Sequence, residues 1–204
     1  MRNAILLAVT TYLAASVNFS ILLFKMLGKG DPRSHFSGNP GATNVTRQVG
    51  RGWGLVILLL DVGRAGAIAQ IGAWLLPAPF VPLLGLILVL GNQKPLFHGF
   101  RGGKGVASYL GFTAIASPFA AGVSCLAWVV AYGVFRQPFI GSFFMIAVLG
   151  LGALIHYSWA WPAVLGAVLT TGLIYQAHKT NIAAYRLGKK KLGYRRNKKD
   201  IQKP

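Results

Sequence analysis

The chain has almost no acidic residues: glutamate is absent, and the only acidic residues are Asp31, Asp61 and Asp200. Because these three lie far apart in the sequence, we expect neither a pair of catalytic carboxylates nor a carboxylate-held metal site. Cysteine is equally scarce: Cys125, inside an apolar run, is the only one, which excludes a disulfide framework and a thiolate metal site. The sequence therefore predicts no metal and no cofactor.

The chain is rich instead in apolar residues, glycine and positive charge. It is 54% hydrophobic, holds 26 glycines and carries a formal net charge of +18 over 204 residues. A soluble domain does not tolerate such a surface, so the composition predicts an integral membrane protein. The basic residues lie in short breaks between apolar runs and in one tail. This placement is typical of topology signals and anion ligands and argues against nucleic-acid binding.

Apolar segments separated by short breaks predict an all-α, polytopic membrane bundle of seven transmembrane helices. They cover residues 4–27, 53–78, 79–97, 106–116, 118–135, 138–157 and 159–175. The run from 106 to 135 is divided because Ser117 and Pro118 form an N-cap followed by proline at the first helical position. The fourth helix is then about 17 Å long, too short to cross a bilayer core of about 30 Å unaided. We expect one membrane domain over residues 1–188 and a basic tail over residues 189–204.

The distribution of positive charge favours seven helices over six. With seven, the loops after the first, third and fifth helices and the segment after the seventh contain every lysine and arginine except four: Arg2, the intrahelical Arg64, and Lys25 and Lys94 near the ends of the first and third helices that those loops follow. A six-helix division would place the segment after the last helix, with its ten lysines and arginines, opposite the glycine-rich loops and against the positive-inside rule. The sequence thus predicts an external N-terminus and a cytoplasmic tail that contacts anionic headgroups.

The loop after the first helix has the composition of an anion-binding turn. It reads Ser37-Gly38-Asn39-Pro40-Gly41-Ala42-Thr43-Asn44, and Arg47 follows shortly after. Gly38 and Gly41 can adopt positive φ and leave their N–H groups uncovered, Thr43 adds a hydroxyl donor, and Arg47 could close the pocket on a phosphate. An ordinary loop of turn residues explains the same composition equally well, so the motif alone leaves both interpretations open.

A second glycine-rich break reads Gly99-Phe100-Arg101-Gly102-Gly103-Lys104-Gly105. It resembles a nucleotide P-loop but lacks two required residues, because His98 replaces the first glycine and Gly105 replaces the serine or threonine that holds magnesium. We therefore expect no ATP site. The glycines run into a helix that begins near Val106, which would place Lys104 and bare N–H groups at a positive helix end.

Several polar residues within or at the ends of helices are further candidates. Asp61 and Arg64 are three apart and share a helix face, which fits either a self-satisfied buried pair or a role at the site. His178 could bind a phosphate, take a proton from an alcohol or cap a helix end, and Asn181 faces the same way. Ser142 alone is more typical of a packing serine. Three histidines without neighbours at metal-ligand spacing are interpreted as structural: His35, His98 and His156.

The seven-helix topology gathers the polar candidates of separate segments at the cytoplasmic end of the bundle. They are Ser37, the loop 38–44, Arg47, Lys104, Ser142, His178 and Asn181. Their agreement predicts one shared pocket for anions.

The two glycine motifs together resemble those of a known family, the bacterial integral-membrane glycerol-3-phosphate acyltransferases that use acyl phosphate as donor. Residues 37–45 with Arg47 are similar to the family's first motif, and residues 99–107 to its second. Later positions match as well, namely Arg136 followed by Ser142 and the segment 178–182, so the likeness covers nearly the whole chain. The chain departs from the family pattern at Arg64, Ala65, Asn92, Ala184, Tyr185 and Lys190.

The resemblance implies transfer of an acyl group from acyl phosphate to the 1-hydroxyl of glycerol 3-phosphate, giving lysophosphatidate and phosphate in the first acylation of phospholipid synthesis. It implies catalytic roles for His178, Asn181, Lys104 and Ser142, and substrate-binding roles for Ser37, Gly38, Asn39, Gly41, Ala42, Thr43, Asn44, Arg47, Arg101, Gly102 and Gly103. We expect a monomer in the bacterial inner membrane. Two other functions stay open: a small-anion carrier, and a divergent, non-catalytic protein that binds lipid phosphate.

Overall fold

The computed structural model describes residues 2–188, which form helices joined by loops and 3-10 turns, with no β-strand in that range. The helices are α1 Arg2–Ser16, α2 Phe19–Met26, α3 Ala42–Val49, α4 Arg51–Leu75, α5 Val81–Gln93, α6 Val106–Ala116, α7 Pro118–Phe135, α8 Pro138–His156, α9 Trp161–Gln176 and α10 Lys179–Arg186. The predicted all-α class is therefore confirmed. The basic tail predicted for residues 189–204 lies outside the described residues.

Five stretches within residues 2–188 are long and apolar enough to cross a bilayer. They are Asn3–Met26, Arg51–Leu75, Ala78–His98, Pro118–Phe135 and Pro138–His156. The helix α6 is apolar but shorter, as predicted, and α9 has 16 residues. Length and composition thus identify five spans, and the count of seven and the side of each terminus stay predictions.

The first predicted span contains a break, between α1 and α2, that its apolar run does not predict. Helix α1 ends at Ser16 and α2 begins at Phe19, with Asn18 between them in extended backbone at φ −98° and ψ 105°. The side chain of Asn18 accepts a hydrogen bond from the N–H of Ile21, which makes it the N-cap of α2. An asparagine inside an apolar run is the sequence signal for this break, because asparagine is a strong N-cap residue.

Two short helices, α3 and α10, are absent from the prediction. Each has eight residues and a polar sequence, so no apolar run marks it. Such short helices are stable mainly through tertiary packing. For α3 that packing comes from Val45, which is fully buried in a cluster with Leu23 and Phe24 of α2 and Ile57 of α4. The first half of the predicted anion loop is thus a turn, and its second half is the first turn of a helix.

The membrane helices pack closely through small residues, as is common for helices in lipid. Helices α4 and α6 meet at Gly111, where an added Cβ would lie 2.2 Å from the carbonyl oxygen of Val62. A second cluster joins α5, α6, α8 and α9 through Val89, Tyr109, Leu149 and Ile174. This cluster fixes the relative positions of the helix ends that carry the second glycine loop and His178.

Candidate functional site

The first glycine loop keeps its N–H groups within its own turns. Gly38 has the predicted positive φ, +66°, but its N–H donates to the carbonyl of His35 at 3.1 Å. Gly41 is extended at φ −144°, and its N–H donates to the carbonyl of Asn39 at 2.9 Å. The prediction that these two N–H groups are uncovered is therefore wrong, because this short loop satisfies them through its own turns.

The N-terminus of α3 offers the anion-binding feature that the loop itself does not. Gly41 is the N-cap of α3 and supplies no side-chain cap, so the positive end of the helix dipole receives no capping bond from its N-cap residue. Ala42 and Thr43 form the first turn, and Arg47 lies exposed on the same helix. Backbone donors, a hydroxyl and a guanidinium therefore belong to one short element.

The predicted binding residues of this segment differ in exposure. Ser37, Gly38, Thr43 and Arg47 are exposed, Asn39, Gly41 and Ala42 are half-buried, and Asn44 is 1% exposed. The Nδ2 of Asn44 donates to the carbonyl of Pro32 at 2.9 Å, which fastens the start of the loop to α3. Within the structure Asn44 therefore anchors the loop.

The second glycine loop owes two of its glycines to close packing. The N–H groups of Gly102 and Gly103 donate to the carbonyls of Gln93 and Asn92 at 3.1 and 3.0 Å, so the prediction of bare N–H groups is wrong for both. A Cβ on Gly102 would lie 2.0 Å from the carbonyl oxygen of Asn92. These glycines let the loop fold back against the end of α5.

The helix that follows this loop repeats the arrangement at α3. Gly105, at φ +87°, is the N-cap of α6 and gives no side-chain cap. Lys104 directly precedes it and is half-buried, and the side chain of Arg101 is exposed. The positive end of a second helix dipole thus lies beside a lysine, as the sequence predicts.

Arg33 joins the first loop to the second. Its Nη1 donates to the carbonyls of both His98 and Arg101 at 2.8 Å. Its Nε and Nη2 hold Asp31, the closer contact being 2.6 Å from Nη2 to the carboxylate. The hydrogen bond from Arg33 lowers the pKa of Asp31, which therefore stays ionised at neutral pH.

Gln93 joins the second loop to the end of α9. Its Nε2 donates to the carbonyl of Lys104 at 2.9 Å and to that of Leu173 at 3.3 Å. The next residue after Leu173, Ile174, has its carbonyl 2.8 Å from the Nδ1 of His178. One glutamine thus ties the backbone at Lys104 to the helix end that carries His178.

His178 is 3% exposed and packs against the first turns of α8. Its ring lies edge-on to Phe143, with ring centroids 5.3 Å apart, next to Ser142. The hydroxyl of Ser142 donates to the carbonyl of Pro138 at 3.1 Å, the bond of a serine that packs within its helix. With Nδ1–H donated to Ile174, a neutral imidazole carries its lone pair on Nε2. Asn181 is half-buried on α10.

These links bring the separate candidates to one end of the bundle. The first loop bonds to the second through Arg33, the second bonds to α9 through Gln93, and His178 contacts α8 beside Ser142. The linking residues Arg33 and Gln93 were not among the predicted site residues. A polar residue at the edge of a glycine loop was the available signal, but it does not specify a partner about 65 residues away along the chain.

The predicted pair of Asp61 and Arg64 is confirmed. The Nη2 of Arg64 lies 3.0 Å from the Oδ1 of Asp61, and both side chains are largely buried. The Nη1 of Arg64 donates to carbonyls at the end of α1, including that of Ala14 at 3.2 Å. The pair thus joins its two charges and also supports the first span, while the Nε of Arg64 is buried without a hydrogen-bond partner among the described residues.

An apolar groove of about 320 Å³ runs between α8 and α9. Its lining residues are Ile146, Ala147, Gly150, Leu151, Leu154, Ala167, Val168 and Thr171. Ile146 lies one helical turn beyond Ser142, and Thr171 lies two turns before His178. The groove therefore extends from the polar end of the bundle along the apolar helices.

Comparison with known proteins gives the chain a family. Residues 5–188 match the sequence profile described as glycerol-3-phosphate acyltransferase. A protein of that name from Anaeromyxobacter sp. (strain Fw109-5) is 35% identical over 192 residues, which cover 92% of this chain and 95% of the relative. One from Paramagnetospirillum magneticum is 39% identical over 173 residues, 84% of each chain.

Solved structures give the same result. The crystal structure of PlsY (YgiH), an integral membrane glycerol 3-phosphate acyltransferase in its glycerol 3-phosphate form, aligns with a TM-score of 0.85 at 32% identity. The alignment covers 91% of this chain and 93% of that one. The lysophosphatidic acid form aligns with a TM-score of 0.81 at 31% identity. The chain is thus a multi-pass membrane protein, and it belongs to the glycerol-3-phosphate acyltransferase family.

Proposed function

We propose that this protein transfers an acyl group from acyl phosphate to the 1-hydroxyl of glycerol 3-phosphate and releases lysophosphatidate and phosphate. Family membership supports glycerol-3-phosphate acyl transfer. One observation carries the proposal for this chain. The N-termini of α3 and α6, which lack a side-chain cap, lie at the same end of the bundle as His178, which follows the end of α9. Both substrates are anions, and helix N-termini with nearby basic side chains are suited to bind two phosphate groups.

Each predicted residue has a place in the proposed reaction. The first turn of α3, with Ser37 and residues 38–44, binds the phosphate of the donor, and Arg101, Gly102 and Gly103 complete the pocket wall. Arg47, Lys104, Ser142, His178 and Asn181 hold glycerol 3-phosphate so that its primary hydroxyl faces the acyl carbon. Positioning and charge stabilisation suffice, because an acyl phosphate already has a good leaving group.

The chemical step needs no acyl-enzyme intermediate. The hydroxyl oxygen attacks the acyl carbon, the bond from that carbon to the phosphate oxygen breaks, and phosphate leaves with the electron pair. The hydroxyl proton passes either to the Nε2 of His178 or to the departing phosphate. A pH profile of kcat/KM for the wild type and for His178→Asn separates the two acceptors. If His178 takes the proton, the fall of kcat/KM at low pH that reports a histidine is absent from the variant, whereas a phosphate acceptor leaves the shape of the profile unchanged.

The acyl chain of the donor lies between helices, in contact with lipid. The groove between α8 and α9 has the apolar lining that an acyl chain requires and begins one turn from Ser142. The reaction takes place at the cytoplasmic face of the inner membrane and is carried out by a monomer.

The deciding experiment uses purified protein with acyl phosphate and glycerol 3-phosphate. We expect lysophosphatidate and phosphate to form in equal amounts, with little product from Lys104→Ala. No product above that variant would overturn the enzyme proposal. Transport of glycerol 3-phosphate or phosphate into vesicles would then test the carrier, and lipid-phosphate binding without turnover would identify a non-catalytic relative.

A further inference from the structure

The break in the first span holds both glycine loops. Asn18, 4% exposed, uses all of its polar groups there. Its Oδ1 accepts from the N–H of Ile21 at 3.0 Å, its Nδ2 donates to the carbonyl of Pro40 at 3.2 Å, and its own N–H donates to the Nε2 of His98 at 3.2 Å. Pro40 lies in the first glycine loop, and His98 directly precedes the second.

A buried arginine keeps Asn18 in this place. The Nη1 of Arg64 donates to the carbonyls of Ala14, Ala15 and Val17 where α1 ends. The carbonyl of Ala14 also accepts the N–H of Val17 at 3.3 Å, so Arg64 adds to the bonds that close this end of the helix. Its guanidinium lies 4.9 Å from the ring centroid of Phe19, at the start of α2. The guanidinium of Arg64, on α4, therefore holds the break between α1 and α2 in one conformation.

Arg33 makes a second fastening to the same point. Its Nη1 bonds the carbonyl of His98, whose ring accepts from Asn18, and also the carbonyl of Arg101. The remaining guanidinium donors hold Asp31. Only a planar fork of donors reaches a carboxylate on one side and two carbonyls on the other, so lysine cannot replace it.

We propose that Asn18 and Arg33 are positioning residues that fasten the two glycine loops to each other and to the end of the first span, with His98 as their shared point. Glycine-rich loops have many accessible conformations, and both loops contain exposed residues, such as Gly38 in the first and Gly99 in the second. Transfer between two bound anions needs a fixed distance between their sites, and these contacts supply the constraint. The kinetic part of this inference rests on the proposed function, whereas its structural part does not.

The test replaces the donor of Asn18 and leaves its capping role. Asn18→Asp and Asn18→Ser both keep an oxygen that can cap α2, and both lose the bond to Pro40; the serine variant adds no charge. Arg33→Lys keeps the charge of the second fastening but loses the fork. Thr10→Ala is the matched control, because the bonds of the Thr10 hydroxyl to the described part of the chain go to carbonyls of its own helix, α1.

Hydrogen–deuterium exchange and kinetics are measured on the same detergent-purified samples. In both Asn18 variants we expect faster exchange in peptides covering residues 36–45 and a KM for acyl phosphate raised roughly ten- to a hundredfold, with the KM for glycerol 3-phosphate near the wild-type value. Arg33→Lys should speed exchange in residues 99–105 as well and raise both KM values. General destabilisation would instead reduce kcat alone, through a smaller active fraction.

Wild-type exchange and wild-type KM values in both Asn18 variants and in Arg33→Lys would overturn the proposal. If the Asn18 variants do not fold, Arg33→Lys decides by the same two readouts. If the wild-type protein turns over no acyl phosphate, the proposed function fails, and exchange in the loops alone then decides whether Asn18 and Arg33 fasten them.

Discussion

Lys104 and Arg47 place positive side chains at α6 and α3, the helices that follow the two glycine loops. Lys104 is half-buried just before α6, and Arg47 is exposed on α3. Removing a charge that stabilises the reacting phosphates lowers kcat by about 10²- to 10³-fold. We therefore expect Lys104→Ala and Arg47→Ala to lose nearly all activity in the purified-protein assay and to retain the helical circular dichroism and melting temperature of the wild type.

Neighbouring basic residues serve as controls for this prediction. Lys94 and Arg51 are exposed and lie outside the predicted site. Lys94→Ala and Arg51→Ala should keep activity within about a factor of two, because neither side chain belongs to the predicted anion pocket and surface substitutions away from a site have small effects. Full activity in both Lys104→Ala and Arg47→Ala would contradict the shared anion pocket.

Gly102 has a steric reason for being glycine. An added Cβ would lie 2.0 Å from the carbonyl of Asn92 and 2.6 Å from the Cδ of Pro95, neither of which is a flexible side-chain end. We expect Gly102→Ala to displace the second loop and to reduce kcat/KM by about a hundredfold. The activity assay and the melting temperature of the purified variant measure this effect.

Gly122→Ala provides the comparison, since no atom of residues 2–188 lies within 4 Å of a Cβ built at that position of α7. There the added methyl group should leave activity unchanged and slightly raise the melting temperature, because alanine favours helix by about 1 kcal/mol over glycine. Equal activity in the two variants would show that the loop tolerates displacement from Asn92.

At the scale of elements, two short pieces of helix organise the site more than the long spans do. The helices α3 and α6 both begin after a glycine and both lack a side-chain cap. Their N-terminal N–H groups therefore need a partner from outside the helix, which is the situation in which an anion binds well. The long helices hold these two starts in place through the α3–α4 and α4–α6 contacts.

The groove between α8 and α9 predicts a chain-length preference. Ala147 is exposed on its wall, so phenylalanine at this position would fill part of the space of about 320 Å³. We expect Ala147→Phe to lower kcat/KM for long-chain acyl phosphates at least about tenfold relative to short-chain ones. The phenylalanine ring would occupy the space of the distal methylene groups of a long acyl chain, and those groups would no longer be buried in the groove. The assay uses a series of acyl phosphates of increasing length.

Val130→Phe, on the exposed face of α7, should leave the same series unchanged, since Val130 is 56% exposed and lies outside the groove. An unaltered length profile in Ala147→Phe would place the acyl chain elsewhere on the bundle.

For the whole molecule, the distribution of positive charge predicts which loops face the cytoplasm. Gly30, in the loop after the first span, should lie inside, and Ala78, between α4 and α5, should lie outside; both are exposed. In a Cys125→Ser background, an impermeant thiol reagent applied to intact cells should label Ala78→Cys and leave Gly30→Cys unlabelled. Labelling of both variants after cell lysis confirms that both cysteines react.

The reverse labelling pattern would invert the topology and move the glycine loops to the outer face. Acyl phosphate and glycerol 3-phosphate would then have to reach the protein from outside the cell. The proposed reaction at the cytoplasmic face would be wrong, although the pocket itself would be unchanged.

Much of the architecture was predictable, because apolar runs and proline carry local information. The ends of α6 and α7 are as predicted, since Pro118 occupies the first helical position, although the hydroxyl of Ser117 makes no capping bond. The helix α3 was not predictable in this way, because it depends on the burial of Val45 against distant helices. The N–H groups of Gly102 and Gly103 were misjudged for the same reason, because their acceptors lie on α5.

The sequence by itself determined the membrane class, the two glycine motifs and the family resemblance, because composition, periodicity and motif spacing are properties of the chain alone. The tertiary structure decided how the site is held. Arg33 meets His98, Gln93 meets Leu173, and Asn18 meets Pro40 only because the helices bring these residues together. A hydrogen-bond donor specifies a chemistry but no partner, and the partner is fixed by packing.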